Sequence, residues 1–162
     1  MSLRIIATGG TFDKHYNPLD GRLGFGESVV PQALTRARLT EPCAFEPLMA
    51  IDSLDMQDHH RQHILAACKR APESRIVIVH GTDTMQETAA VIAGAQLDKT
   101  IVLTGAMVPY DIAGSDAMFN LGSAITAARL SSPGVWIAMQ AHVFAWNEVR
   151  KNRAEGRFER SD

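Results

Sequence analysis

Short β-branched runs that stop abruptly at glycine or at a hydroxyl-bearing cluster constrain this chain more than any other feature. Residues 3–7 end at Gly9 and Gly10, 75–79 at His80-Gly81, and 100–103 at Thr104-Gly105. Residues 135–139 form a fourth run. A fifth, 45–51, contains Pro47, which lacks an N–H for a neighbouring strand and so belongs at a sheet edge or a bulge. Runs that stay apolar without alternation need cover on both faces, as strands of a parallel sheet do. The cover lies between them. Pro31 opens a helix through Arg38. Residues 57–70 carry Ile64, Leu65 and Ala67 on one side, and 84–97 carry Met85, Ala89 and Ile92 at helical spacing. A last helix, capped by Ser115, sets Met118, Leu121, Ile125 and Ala128 in one stripe. This alternation predicts an α/β fold: a doubly wound, mainly parallel sheet with helices on both faces, as a single domain over residues 1–162.

Composition narrows the partners. A chain of 162 residues buries roughly 68–70% of its unfolded surface, enough for a core without staples. Net charge is −2, so there is no cationic footprint for nucleic acid or an anionic membrane. No stretch approaches the roughly 18 apolar residues of a membrane span, and the opening MSLRIIATGG is too short in apolar residues for a signal peptide. Cys43 and Cys68 have neither CxxC nor metal spacing and read as reduced thiols, so a soluble cytoplasmic protein is expected.

In a doubly wound sheet, ligands bind beyond the carboxyl ends of the strands. The polar segments 8–11, 52–55, 80–83, 104–105 and the stretch beyond Gln140 should therefore share one rim. In Thr8-Gly9-Gly10-Thr11 the glycines allow a sharp turn and a close approach to main-chain N–H groups, and Thr11 presents a hydroxyl. The same four residues also suit a plain tight turn; a phosphate loop would need GxGxxG or GxxxxGK[ST], which are missing. In His80-Gly81-Thr82-Asp83-Thr84, Thr82 offers a second hydroxyl and Asp83 a carboxylate. Asp83 or Thr84 alternatively caps the next helix, worth roughly 1 kcal/mol. His80 reads as a packed, hydrogen-bonded strand-end residue rather than a base.

ATGGT (7–11) together with VHGTDTMQETA (79–89) resembles the paired signature of the bacterial-type L-asparaginases. The resemblance continues through DSLDM (52–56), LTGAMVP (103–109) and SDAMFNL (115–121), and ends near VRKN (149–152). It implies hydrolysis of L-asparagine, or a related small amide, to L-aspartate and ammonia, without metal or organic cofactor. Thr11 matches the nucleophile that forms an acyl-enzyme, and Thr82, Asp83 and Lys151 match a Thr–Lys–Asp triad. Asp83 is also expected to hold the substrate ammonium and Ser53 its α-carboxylate, while Gly10 and Gly81 border the substrate. Main-chain N–H groups near Thr82 and the following helix N-terminus suit an oxyanion. Lys151 is either a base, which requires its pKa to fall from about 10.4 to about 7–8 against the pull of Asp83, or a charged stabiliser of the threonines.

The chain is about half as long as typical family members, whose second domain helps complete the pocket. Self-association is the expected substitute, making a homo-oligomer. Leu54 stands where many members carry glutamine. The family's loop tyrosine has one counterpart by position, Tyr16 in the glycine-bearing loop 13–26, either folding over Thr11 as a proton relay or an ordinary surface aromatic. His59, His60 and His63 read as a solvated helix face rather than a metal site, and the tail 150–162 as solvated apart from Lys151. Two other functions share the motifs: an ammonia-delivering amidotransferase subunit, and a non-catalytic amino-acid-binding module. The second has no use for two hydroxyls and a lysine together.

Overall fold

The computed structural model describes residues 2–161. In chain order its elements are β1 (Leu3–Gly9), β2 (Lys14–Asn17), β3 (Arg22–Phe25), α1 (Val30–Ala37), β4 (Cys43–Ile51), α2 (Asp58–Arg70) and β5 (Arg75–Val79). There follow α3 (Met85–Gly94), β6 (Thr100–Thr104), α4 (Ala117–Leu130), β7 (Gly134–Met139), β8 (His142–Ala145), β9 (Val149–Asn152) and β10 (Arg157–Arg160). A 3-10 turn, Thr11–Asp13, joins β1 to β2.

Six strands form the central sheet in the order β4-β1-β5-β6-β7-β8. The first five are mutually parallel, and β8 returns antiparallel along β7. The expected doubly wound α/β architecture is therefore present, with an antiparallel edge that the sequence pattern does not announce. Side chains alternate between two cores. Ile5, Ala7, Val77, Val79 and Val102 pack with Val30 and Ala33 of α1 and Leu121 and Ala124 of α4. Ile6, Ile76, Ile78, Ile101 and Leu103 pack with Ile64 and Ala67 of α2 and Met85, Ala89 and Ile92 of α3. Each fully buried Ile, Leu or Val contributes about 1.5–3 kcal/mol, which is why the runs need no polar face.

Pro47 sits in β4 at the sheet edge, opposite Ala7, and the register slips between Ala7 and Gly9. Edge position and irregularity are both realised there. The sheet starts at β1, adds β4 on one side, then crosses back to place β5 on the other. This reversal makes the carboxyl ends of β1 and β5 a topological switch point, the place where such sheets bind ligands, and the Thr8–Thr11 and His80–Asp83 segments emerge there.

Three expectations need correction. Loop 13–26 contains a two-stranded hairpin, β2–β3, separate from the main sheet. The tail is not simply solvated: β9 and β10 pair antiparallel and bury Phe158, while Arg150 and Arg157 both bond Glu159; Asp162 lies outside the described residues. The cap of α4 is Asp116, one residue beyond Ser115. Ser115 Oγ still accepts the Ala117 N–H at 3.0 Å, but the Asp116 carboxylate is drawn to the preceding loop, where it accepts the N–H groups of Met107 and Val108 at 2.9–3.0 Å.

Candidate active site

The switch point is built by backbone closeness that only glycine permits at two points. A Cβ on Gly10, whose φ is +72°, would lie 2.4 Å from the Gly81 nitrogen. A Cβ on Gly81 would lie 2.6 Å from both Cβ and Oγ of Ser53. The segments carrying Thr11, Ser53 and Thr82 are thus in direct contact, as the rim argument requires. Thr8 reinforces the seam by donating its hydroxyl to the Val79 carbonyl at 2.8 Å, and the Gly10 N–H bonds the Ile51 carbonyl at 3.0 Å.

Lys151 enters from β9. Its Nζ donates to Thr82 Oγ1 and to Asp83 Oδ1, both at 2.7 Å, and its side chain is only 9% exposed. The three residues named together from the sequence form one hydrogen-bonded unit. Arg153 adds a second cation: Nε lies 3.6 Å from Asp83 Oδ1, and Nη2 donates to the Asp83 carbonyl at 3.3 Å. The Ser53 hydroxyl accepts the Asp83 N–H at 3.2 Å, and its carbonyl accepts the Thr84 hydroxyl at 2.8 Å. Thr84, rather than Asp83, holds the N-cap position of α3, but its side chain is spent on Ser53 rather than on the helix.

Thr11 opens the 3-10 turn at the end of β1 and is partly accessible; among the described residues its hydroxyl has no hydrogen-bond partner. Tyr16 lies on β2, opposite Leu23, and is 58% exposed. Leu54 is exposed beside Ser53. His80 is fully buried between the Gly81 carbonyl and Thr88 Oγ1, each at 2.7 Å, and burial pushes its pKa down to about 4. It is the packed strand-end residue expected. Of the other histidines, His60 Nδ1 accepts the Gln57 N–H at 2.9 Å as part of the α2 capping box, and its ring rests on His59. No group of three or more His, Cys, Asp or Glu arranged to hold a metal occurs among the described residues.

Several supporting residues escape the motif reading. Buried Asn120 donates to the Gly105 carbonyl and to Asp116 Oδ2, and accepts the Gln140 N–H, all at 3.0 Å. One amide thereby ties the loops after β6 and β7 to α4. Gln140 in turn bonds the Gly156 carbonyl at 2.9 Å and the Phe158 N–H at 2.8 Å, fixing the hairpin that carries Lys151. Gln140 and Ala141 form the two-residue β7–β8 turn with φ of 53° and 66°, the left-handed pair that asparagine and glycine usually fill. Lys14 bonds Asp52 Oδ2 at 2.5 Å, holding the Asp52 carboxyl below its ordinary range. Asp116 and Asn120 lie within SDAMFNL, but only their distances identify what they do.

A doubly wound sheet with Thr11 after one strand of its switch point and a hydrogen-bonded Thr82–Lys151–Asp83 unit after the next is, by its likeness to known proteins, an α/β protein of the asparaginase type. The chain belongs to the Asparaginase, N-terminal family, which residues 2–158 match. It is 37% identical over 162 residues to the L-asparaginase of Thermococcus kodakarensis, covering 96% of this chain and 49% of that protein. With L-asparaginase 1 of Escherichia coli K12 the identity is 28% over 165 residues, covering 96% and 48%. The solved structure of the thermostable L-asparaginase from Thermococcus kodakarensis superposes with a TM-score of 0.88 at 27% identity, over 99% of this chain and 51% of that one. The chain spans about half the length of the curated relatives it matches.

Proposed function

We propose that this chain is an amidohydrolase that converts L-asparagine to L-aspartate and ammonia, with residues 1–162 acting as one catalytic domain. The observation that carries the reading is Lys151 Nζ held 2.7 Å from both Thr82 Oγ1 and Asp83 Oδ1, across the switch point from an unengaged Thr11 hydroxyl. Relatives of the same family named as L-asparaginases support the substrate. Thr11 Oγ attacks the side-chain amide carbon, ammonia leaves, and water opens the resulting ester. Ser53 and Asp83 receive the substrate's carboxylate and ammonium, Gly10 and Gly81 let it approach the backbone, and N–H groups near Thr82 face the oxyanion. Lys151, donating as an ammonium, stabilises negative charge developing between the threonines. Tyr16, on the adjoining hairpin, is the residue that closure would bring to Thr11 as a proton relay.

Exposed Phe119, Leu130 and Val143, which together line one shallow depression along α4, support self-association. Two free thiols suit a reducing cytoplasm. Ammonia release from L-asparagine, L-glutamine and D-asparagine tests the reading. Activity on L-asparagine should fall by about 10³-fold or more in Thr11→Ala. A folded Thr11→Ala that keeps the wild-type rate removes Thr11 as the nucleophile.

A further inference from the structure

The β2–β3 hairpin begins three residues after Thr11 and makes no strand pairing with the main sheet. What holds it is side-chain chemistry, and His15 is the hub. Its Nδ1 lies 2.7 Å from Asp111 Oδ2, in the loop between β6 and α4, and its Nε2 lies 2.8 Å from the Glu27 carbonyl, between β3 and α1. One ring thus joins three segments, whose bases also meet where the Tyr110 N–H bonds the Phe12 carbonyl at 3.3 Å and where Asp13 accepts from Ser28 and Val29.

Both partners only accept. A backbone carbonyl has no proton to give, and an ionised carboxylate has none either. A neutral imidazole carries one N–H. With the proton on Nε2, the Nδ1 lone pair faces the Asp111 carboxylate; with it on Nδ1, the Nε2 lone pair faces the Glu27 carbonyl. Either tautomer loses one link and gains a repulsion. We propose that His15 is a positioning residue for the Thr11 loop, acting as an imidazolium that latches the β2–β3 hairpin to the Asp111 loop and to the Glu27 segment. The latch rests on geometry alone; its bearing on catalysis rests on the reading of Thr11 as nucleophile.

The surroundings agree from each side. Asp111 faces the ring from the β6–α4 loop, and Asp13 adds a carboxylate from the 3-10 turn, where it accepts the Ser28 hydroxyl and the Val29 N–H at 3.0 Å. Of the nearby cations, Lys14 is engaged by Asp52, and Arg36 of α1 lines the same cavity as Asp111 across some 570 Å³ of open space. The net effect holds the imidazole above its ordinary range, the carbonyl of Glu27 being the foremost cause and Asp111 the main ionic one. Because the folded pKa is raised, the latch is fully closed below about pH 6.5 and opens as pH rises through the folded value.

The test is the His15 ring titration by NMR together with amide exchange of residues 14–25, corrected for the intrinsic pH dependence. The ring should titrate above 6.5, and hairpin protection should fall about tenfold or more across that titration. In His15→Gln, a neutral donor, protection should be lower and flat with pH; in His15→Arg it should persist to higher pH than in the wild type. A ring that titrates at or below 6.5, or hairpin protection that ignores its titration, overturns the proposal. Amide hydrolysis measured alongside separates the two readings: a latch that titrates in a protein with no amidase activity leaves the latch standing and removes the proposed function.

Discussion

Replacing Gly81 by alanine puts one methyl group where the switch point has no room for it. The new Cβ would sit 2.6 Å from Ser53 Cβ and Oγ and 3.0 Å from the Ser53 nitrogen, whereas ordinary contact begins at 3.4 Å. Ser53 must therefore retreat by about 0.8 Å. It cannot do so freely, because its hydroxyl holds the Asp83 N–H and its carbonyl the Thr84 hydroxyl. Retreat stretches the 3.2 Å bond to Asp83 beyond hydrogen-bonding distance and shifts the Asp83 backbone beneath the triad. Overpacking of this kind costs about 1–3 kcal/mol, and a displacement near 1 Å at reacting groups costs about 10²-fold in rate. Urea unfolding and kcat/KM for L-asparagine read the two effects separately. Gly94→Ala in α3 is the control: nothing lies within 4 Å of its Cβ, so it should gain up to about 0.5–1 kcal/mol and leave activity alone. Gly81→Ala with stability within about 0.5 kcal/mol and kcat/KM within twofold of wild type would falsify the steric argument. A destabilised variant with unchanged kcat/KM would instead remove Ser53 and the Asp83 backbone from the substrate site.

Two further outcomes follow from buried polar groups. His80 has its folded pKa depressed to about 4 while the unfolded chain titrates near 6.5, so its stabilising effect is complete above pH 6.5 and is lost as pH falls toward 4. The loss should be of the order of 3 kcal/mol at 1.36 kcal/mol per unit, seen as a falling urea midpoint between pH 6.5 and 4.5 whose slope flattens in His80→Gln. Asn120→Ala strands the Gly105 carbonyl and the Gln140 N–H, and should lower stability by about 3 kcal/mol in the same assay; a loss under 0.5 kcal/mol means that water replaces the amide.

The central strands are legible because their cause is local. Arg75–Val79 appears with its expected bounds, since four consecutive buried β-branched residues have no alternative to a strand covered on both faces. The rim is legible for a different reason: strand ends are marked by glycines, so the polar segments that follow must gather. The hairpins are not legible. Lys14–Asn17 and Arg22–Phe25 bury almost nothing and carry no period-two pattern, and ion pairs with Asp52 and Asp111 hold them instead. The Gln140–Ala141 turn lacks the Asn-Gly signal of its backbone shape, because Gln140 is needed for its side-chain bonds to the next hairpin. Thr11, Thr82, Asp83 and Lys151 were visible as motifs. Arg153 beside Asp83, and Asn120 across two loops, depend on distances that no spacing encodes.

The route by which Lys151 arrives sets the order in which the molecule fails on warming. Thr11 and Thr82 hang from β1 and β5, paired at the middle of the sheet and shielded by both cores. Lys151 hangs from a two-stranded flap that rests on Phe158, the Gln140 side chain and the hydrogen bond from Gln86 to the Val149 carbonyl. Local opening begins where few contacts must break, so the flap lifts while the sheet remains intact. Warming should therefore free Lys151 from Thr82 before the sheet melts, and cooling should restore the contact by docking a single hairpin rather than by refolding the chain.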